Sequence, residues 1–152
     1  MKRVGFSKRS GQMVAIYSAI VGLAYVLMGL LEITRGLGVE LSMLTGLAEA
    51  FYVVGDAFAG FVLVVIGAVY LGGLVVSRGD REGLSYVSVG ALMSTVLLAL
   101  YVANIVSNGL GLVLGFEDWL GWTVLDDFRP GLILWVLAIP AVLVALRKEW
   151  RE

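Results

Sequence analysis

Apolar residues in this chain run in long blocks separated by short polar breaks. Four blocks can be cut from it: Gln12 to Ile33, Ala48 to Val76, Leu84 to Ser107 and Gly131 to Leu146. A helix crossing a hydrocarbon layer about 30 Å thick needs roughly 20 apolar residues, so each block is read as one transmembrane helix. The first block exceeds the apolar core of about 7–15 residues found in a signal peptide, so it is expected to remain as a span. The pattern predicts an all-α integral membrane protein, a four-transmembrane-helix bundle forming a single domain over residues 1–152.

Within the blocks, small and polar residues recur at helical spacing. Ala15, Ser18, Gly22, Tyr25, Gly29 and Glu32 share one face of the first helix, and Glu49, Asp56, Gly60 and Gly67 one face of the second. Gly90, Ser94, Leu97, Tyr101, Asn104 and Asn108 form a similar seam on the third. Lipid-facing positions accept any apolar side chain, whereas helix contacts favour small residues that let backbones approach, so these stripes are expected to face one another.

The loops differ in character. Ser77 to Gly83 is short and charged, which suits a tight hairpin between antiparallel helices. The stretch from Asn108 to Pro130 carries Phe116, Trp119 and Trp122 among leucines, with acidic breaks at Glu117-Asp118 and Asp126-Asp127. Aromatics at that density beside a span predict a short interfacial or re-entrant segment in this second outer loop, anchored by Trp119 and Trp122. Pro130 is suited to begin the last helix and Pro140 to kink it.

Composition sharpens the membrane assignment: 60% of residues are hydrophobic and 15% charged, and the mean hydropathy is +0.96. Charge then supplies a direction. Lys2, Arg3, Lys8, Arg9, Arg78, Arg81, Arg147, Lys148 and Arg151 fall on one side of the predicted bundle, and only Arg35 and Arg129 on the other. Basic residues in short loops stay in the cytoplasm, so both termini are expected there, in a plasma membrane protein. Nothing in this layout suggests a nucleic-acid partner.

The chain has no cysteine and no histidine. A disulfide relay, a histidine-ligated haem and a Cys/His zinc site are therefore excluded, and no cofactor is expected. One Gln and two Asn in the whole chain, together with the missing Cys, fit a hot-adapted source; general depletion of these residues in membrane helices accounts for them equally well.

Asp56 is the residue that bland packing explains least, because an ionisable side chain inside a span is costly. Counted inward from the outer end of a continuous second helix, it lies roughly 12 Å deep. Tyr25, Tyr101 and Asn104 fall at similar depth on the facing stripes, with Glu32 and Glu49 at the rim, so the six are expected to form an outward-facing polar cluster. It has two readings: a site for a cation, proton or amine, or a hydrogen-bonded register lock. Asp126, Asp127 and Arg129 form a second acidic group, read as capping charges at the start of the last helix or as an outer docking or metal site.

No catalytic constellation is present. Val54-Gly55-Asp56 resembles the end of the Gly-x-Gly-Asp signature of intramembrane aspartyl proteases, yet position 53 is Val and no second aspartate lies in another predicted span. A single carboxyl cannot form the proton-sharing dyad, so an enzyme is not expected. The leading expectation is a non-catalytic structural or accessory subunit that packs with itself, as a homo-oligomer, or with other membrane subunits. The alternative is a small transporter or channel for a cation or cationic solute built around Asp56.

Overall fold

The computed structural model describes residues 8–39, 42–78 and 82–146. The orientation expectation rests largely on the chain ends and the loop at 77–83, which lie wholly or partly outside the described residues. Among the described residues every regular element is helical: α1 (Lys8–Gly36), α2 (Thr45–Ala50), α3 (Ala57–Gly72), α4 (Glu82–Val113) and α5 (Pro130–Leu146), with short 3-10 turns between them. Three stretches are long and apolar enough to cross a membrane: Gly11–Gly36, Ala57–Val76 and Gly83–Val113. The fourth apolar helix, α5, is shorter at 17 residues, about 26 Å at the usual rise.

The second span departs from its expected bounds of 48–76. The chain forms the single turn-and-a-half of α2, unwinds through Phe51–Asp56 and starts α3 at Ala57. Two residues enforce the break. Gly55 takes φ +92°, a region closed to most side chains. Asp56 then adopts an extended conformation and caps α3, its carboxylate accepting from Phe58 N and Ala59 N. Tyr52, at φ 54°, holds a left-handed conformation without a glycine's freedom.

α1 and α3 pack backbone against backbone. A Cβ on Gly29 would lie 2.6 Å from Gly60 O, and one on Gly60 the same distance from Gly29 O. The pair Gly22 and Gly67 repeats this, at 2.9 and 2.7 Å, and a Cβ on Gly36 would lie 2.7 Å from Gly55 O. Glycines seven apart on α1 thus meet glycines seven apart on α3, in antiparallel order, which is how the predicted stripes face each other. Ser18 extends the seam by donating its hydroxyl to Tyr70 O. Contact this close gains dispersion energy over many atoms, the main source of helix association where lipid is as apolar as leucine.

α4 runs antiparallel to α3, with Tyr86 against Gly72 and Tyr70 against Gly90. α5 returns along α4, where Trp135 Nε1 donates to Thr95 Oγ1 at 3.2 Å. The start of α1 and the end of α5 consequently lie at one end of the bundle. The opposite end, called distal below, carries α2, the unwound Phe51–Asp56 and the segment from Leu114 to Arg129. Pro140 lies inside α5, as expected. Beside it the Tyr17 hydroxyl donates to Leu137 O at 2.6 Å and accepts from Ala141 N at 3.3 Å. A side chain of α1 therefore occupies a rung of the α5 backbone ladder, one residue past the proline.

The core lies between α1, α3 and the inner face of α4, with Tyr25, Leu63, Ile66 and Tyr70 fully buried, and extends to Leu134 and Ala138 of α5. Burial is uneven. In the most apolar stretch of each helix, 44% of α1 and 39% of α3 is covered, but only 17% of α4.

Candidate functional site

The polar groups of the distal end fall into two separate constellations. The first is at the mouth of α3. Glu32, near the end of α1 and 1% exposed, accepts through Oε2 from Gly55 N at 2.7 Å and Asp56 N at 2.9 Å. Asp56 Oδ1 accepts from Phe58 N and Ala59 N, both at 2.9 Å. Two carboxylates therefore satisfy four backbone N–H groups where α3 begins, where helix geometry leaves donors unpaired and the dipole favours negative charge. Arg35 closes the loop from the other side, Nη1 donating to Val53 O at 2.8 Å. Next to it, α1 and α2 bound a small, open groove lined by Leu31, Thr34, Arg35, Thr45 and Ala48 among others.

The second constellation is centred on Asp127, which is 9% exposed. Asn104 Nδ2 donates to Oδ1 at 3.1 Å, while Asn108 Nδ2 at 2.6 Å and Trp122 Nε1 at 2.9 Å donate to Oδ2. Asn104 and Asn108 stand one turn apart on α4, so a single carboxylate receives both amides and ties the returning loop to that helix. The loop is also seated by its tryptophans. The ring of Trp119 lies on Gly111, where a Cβ would come within 2.4 Å of it, and that of Trp122 faces Gly109. Asp126 has a local task, accepting from Thr123 N at 2.7 Å and Thr123 Oγ1 at 3.1 Å. Arg129 points its guanidinium at the Asp126 and Phe128 carbonyls.

The six residues expected to form one cluster are distributed over the molecule. Glu32 and Asp56 share the α3 mouth, while the ring of Tyr101 lies against Gly131 at the start of α5. Asn104 turns instead to Asp127. Tyr25 lies two turns deeper, its ring 5.8 Å from that of Tyr70, and Glu49 is exposed on α2. Asp56 itself is exposed rather than deep in a span, because the helix restarts at it instead of running through it. Asp126 and Asp127 do not cap α5; they hold the loop ahead of it. The two distal constellations touch through an edge-on contact of Tyr52 with Phe128, centroids 5.1 Å apart.

Sequence reasoning passed over the Asp127 hub. Its signal was the Asn104, Asn108 pair at a spacing of four, opposite the aspartates of the only loop rich in tryptophan. Among the described residues no group of three or more acidic side chains is placed to share a metal ion. Asp127 receives three N–H donors, whereas both bonds to the exposed Asp56 fall on Oδ1 and Glu32 Oε1 is buried without a hydrogen-bond partner.

Comparison with known proteins bears on the whole chain. Residues 8–147 match the family model described as the MJ0565 integral membrane domain. A curated relative from Methanocaldococcus jannaschii, "Uncharacterized protein MJ0565", is 31% identical over 134 residues, covering 87% of this chain and 88% of its own. No solved structure matches.

Proposed function

The chain belongs to the MJ0565 integral membrane domain family, and we propose that it is a non-catalytic, four-span scaffold that packs with itself or with other membrane subunits. The observation that carries this reading is the uncovered face of α4. That helix is 32 residues long, yet little of it is buried, and its exposed side presents Ala99, Ala103 and Ser107 at spacings of four among Leu92, Val96 and Val106. Small residues at that spacing let a second helix approach closely. Asp127, the buried carboxylate of the distal loop, is engaged with amide and indole N–H groups of the same chain.

In this reading α5 is the fourth span, both termini lie in the cytoplasm, and the distal end faces outward across the plasma membrane. The excess of Lys and Arg at the chain ends and in the 77–83 loop supports that direction. A hot-adapted source is part of the same proposal, supported by a relative from a thermophilic archaeon.

The native sequence lacks cysteine, so a single introduced thiol reports its own side of the membrane. With an impermeant maleimide on intact cells, Glu117→Cys is expected to be labelled and Asp80→Cys to be protected; the reverse pattern would invert the topology. For the scaffold role, native mass spectrometry from a mild detergent is expected to show a self-complex or a co-purifying membrane subunit, which Ala103→Trp disperses. A stable monomer without partners would remove the scaffold reading. Cation flux into proteoliposomes that Asp56→Asn abolishes would replace it with the transporter reading.

A further inference from the structure

The uncovered face of α4 has a longer period than its small residues alone express. Steps of four and three residues, taken alternately from Ser85 to Val113, land on an exposed residue every time, and past Ser85 each of them is apolar. Apolar side chains repeating every 3.5 residues through several heptads form the seam of a left-handed coiled coil. Lipid tails could cover such a seam within the bilayer, so the length of α4 decides what occupies it. The helix has 32 residues, about 48 Å at the usual rise, against a hydrocarbon layer about 30 Å thick. The excess lies at the distal end: Gly131, at the start of α5, packs on the ring of Tyr101, and α4 runs on from there to Val113, about 18 Å further.

On this extension the two sides of α4 differ. Asn104, Asn108 and Gly111 receive the returning loop through Asp127 and Trp119. The seam stays apolar and open, with Val106 56%, Leu110 57% and Val113 81% exposed. Lipid tails do not reach these three side chains and the chain does not cover them, so a protein partner must. That partner has to be a helix which itself continues past the hydrocarbon. The α4 of a second copy is such a helix, and because both copies cross the membrane in the same direction, a twofold axis along the bilayer normal lays the seam on itself in register. The seam also suits two strands. Val89, Leu92 and Val96 follow the β-branched and leucine order of parallel pairs, and Ala99 and Ala103 let the backbones close in at the middle. We propose that the chain forms a parallel homodimer through a left-handed coiled coil of two α4 helices that extends past the distal face of the bilayer. The proposal rests on the scaffold reading and deepens it by naming a second copy as the partner.

Single thiols in the full, otherwise cysteine-free chain map the seam by oxidative cross-linking in native membranes. Val106→Cys, Leu110→Cys and Val113→Cys are expected to form disulfide-linked dimers at least about five times faster than Leu112→Cys, which points to the other side of the helix, because a disulfide joins only residues whose Cα atoms come within about 7 Å. Equal rates on and off the seam would overturn the coiled coil. So would a self-complex, or a complex with another subunit alone, that native mass spectrometry detects while the seam thiols stay unlinked; in that case the scaffold reading stands. A monomer without partners would remove both.

Discussion

The α1–α3 pair and α4 are apolar helices of one bundle, but they are built on opposite rules. Along α1 and α3, the pairs Gly29–Gly60 and Gly22–Gly67 place backbone on backbone, and the space a methyl group would need is already filled by a carbonyl oxygen. Along α4, beyond the backbone contact of Gly83 with Val76 N at its start, side chains make the contacts: Tyr86 and Tyr70 at one end, Thr95 with Trp135 in the middle, Asn104 and Asn108 toward the other. Most of its remaining surface is uncovered. Hydropathy alone does not distinguish the two designs, since the spans of α1 and α4 have mean values of 2.2 and 2.1. What separates them is where the glycines fall and what stands opposite.

The sharpest way to break this contrast is Gly29→Ala. Its new methyl would have to displace backbone rather than a flexible side chain tip, and a loss of about 3 kcal/mol is expected by steric-trap unfolding in bicelles. A change near zero would mean that the helices sit farther apart than the seam requires. Next in size is Asp127→Ala, which strands Asn104, Asn108 and Trp122. About 2 kcal/mol is expected to be lost, with faster hydrogen exchange confined to the loop from Leu114 to Arg129. Uniform acceleration over the whole chain would show that the hub supports the bundle and not the loop alone. Smallest is Leu92→Ala on the uncovered face of α4, expected to change monomer stability by less than about 0.5 kcal/mol. A larger loss in the monomer would show that this face is covered by the chain itself.

Much of the fold was legible because lipid imposes one rule on every span. Long apolar blocks gave the helices, and glycine spacing gave the faces of α1 and α3 that meet. The second helix was misjudged at its start for a physical reason: Ala48 to Val54 is apolar enough to pass for the first turns of a span. The opposing signal was present, a glycine followed by an aspartate ahead of a helix, the pattern of a left-handed turn and an N-cap. Read that way, Asp56 moves from the bilayer interior to a helix mouth.

The polar constellations were harder to foresee because their partners are distant in sequence. Asp127 meets Asn104 across 23 residues, and Glu32 meets Gly55 across another 23. Helical spacing shows which residues share a face of one helix, but not which loop folds back onto that face. Residue type was informative even so: the chain's two asparagines, four apart on α4, converge on one carboxylate.

The Tyr17 hydroxyl at the proline of α5 has a mechanical meaning. A helix broken at one rung would ordinarily flex there as a hinge, with its two halves free to swing. Here the gap is latched by a residue 120 positions earlier in the chain. The latch makes the stiffness of the last helix a property of the first, so a rigid-body shift of α1 would reach α5 as a bend.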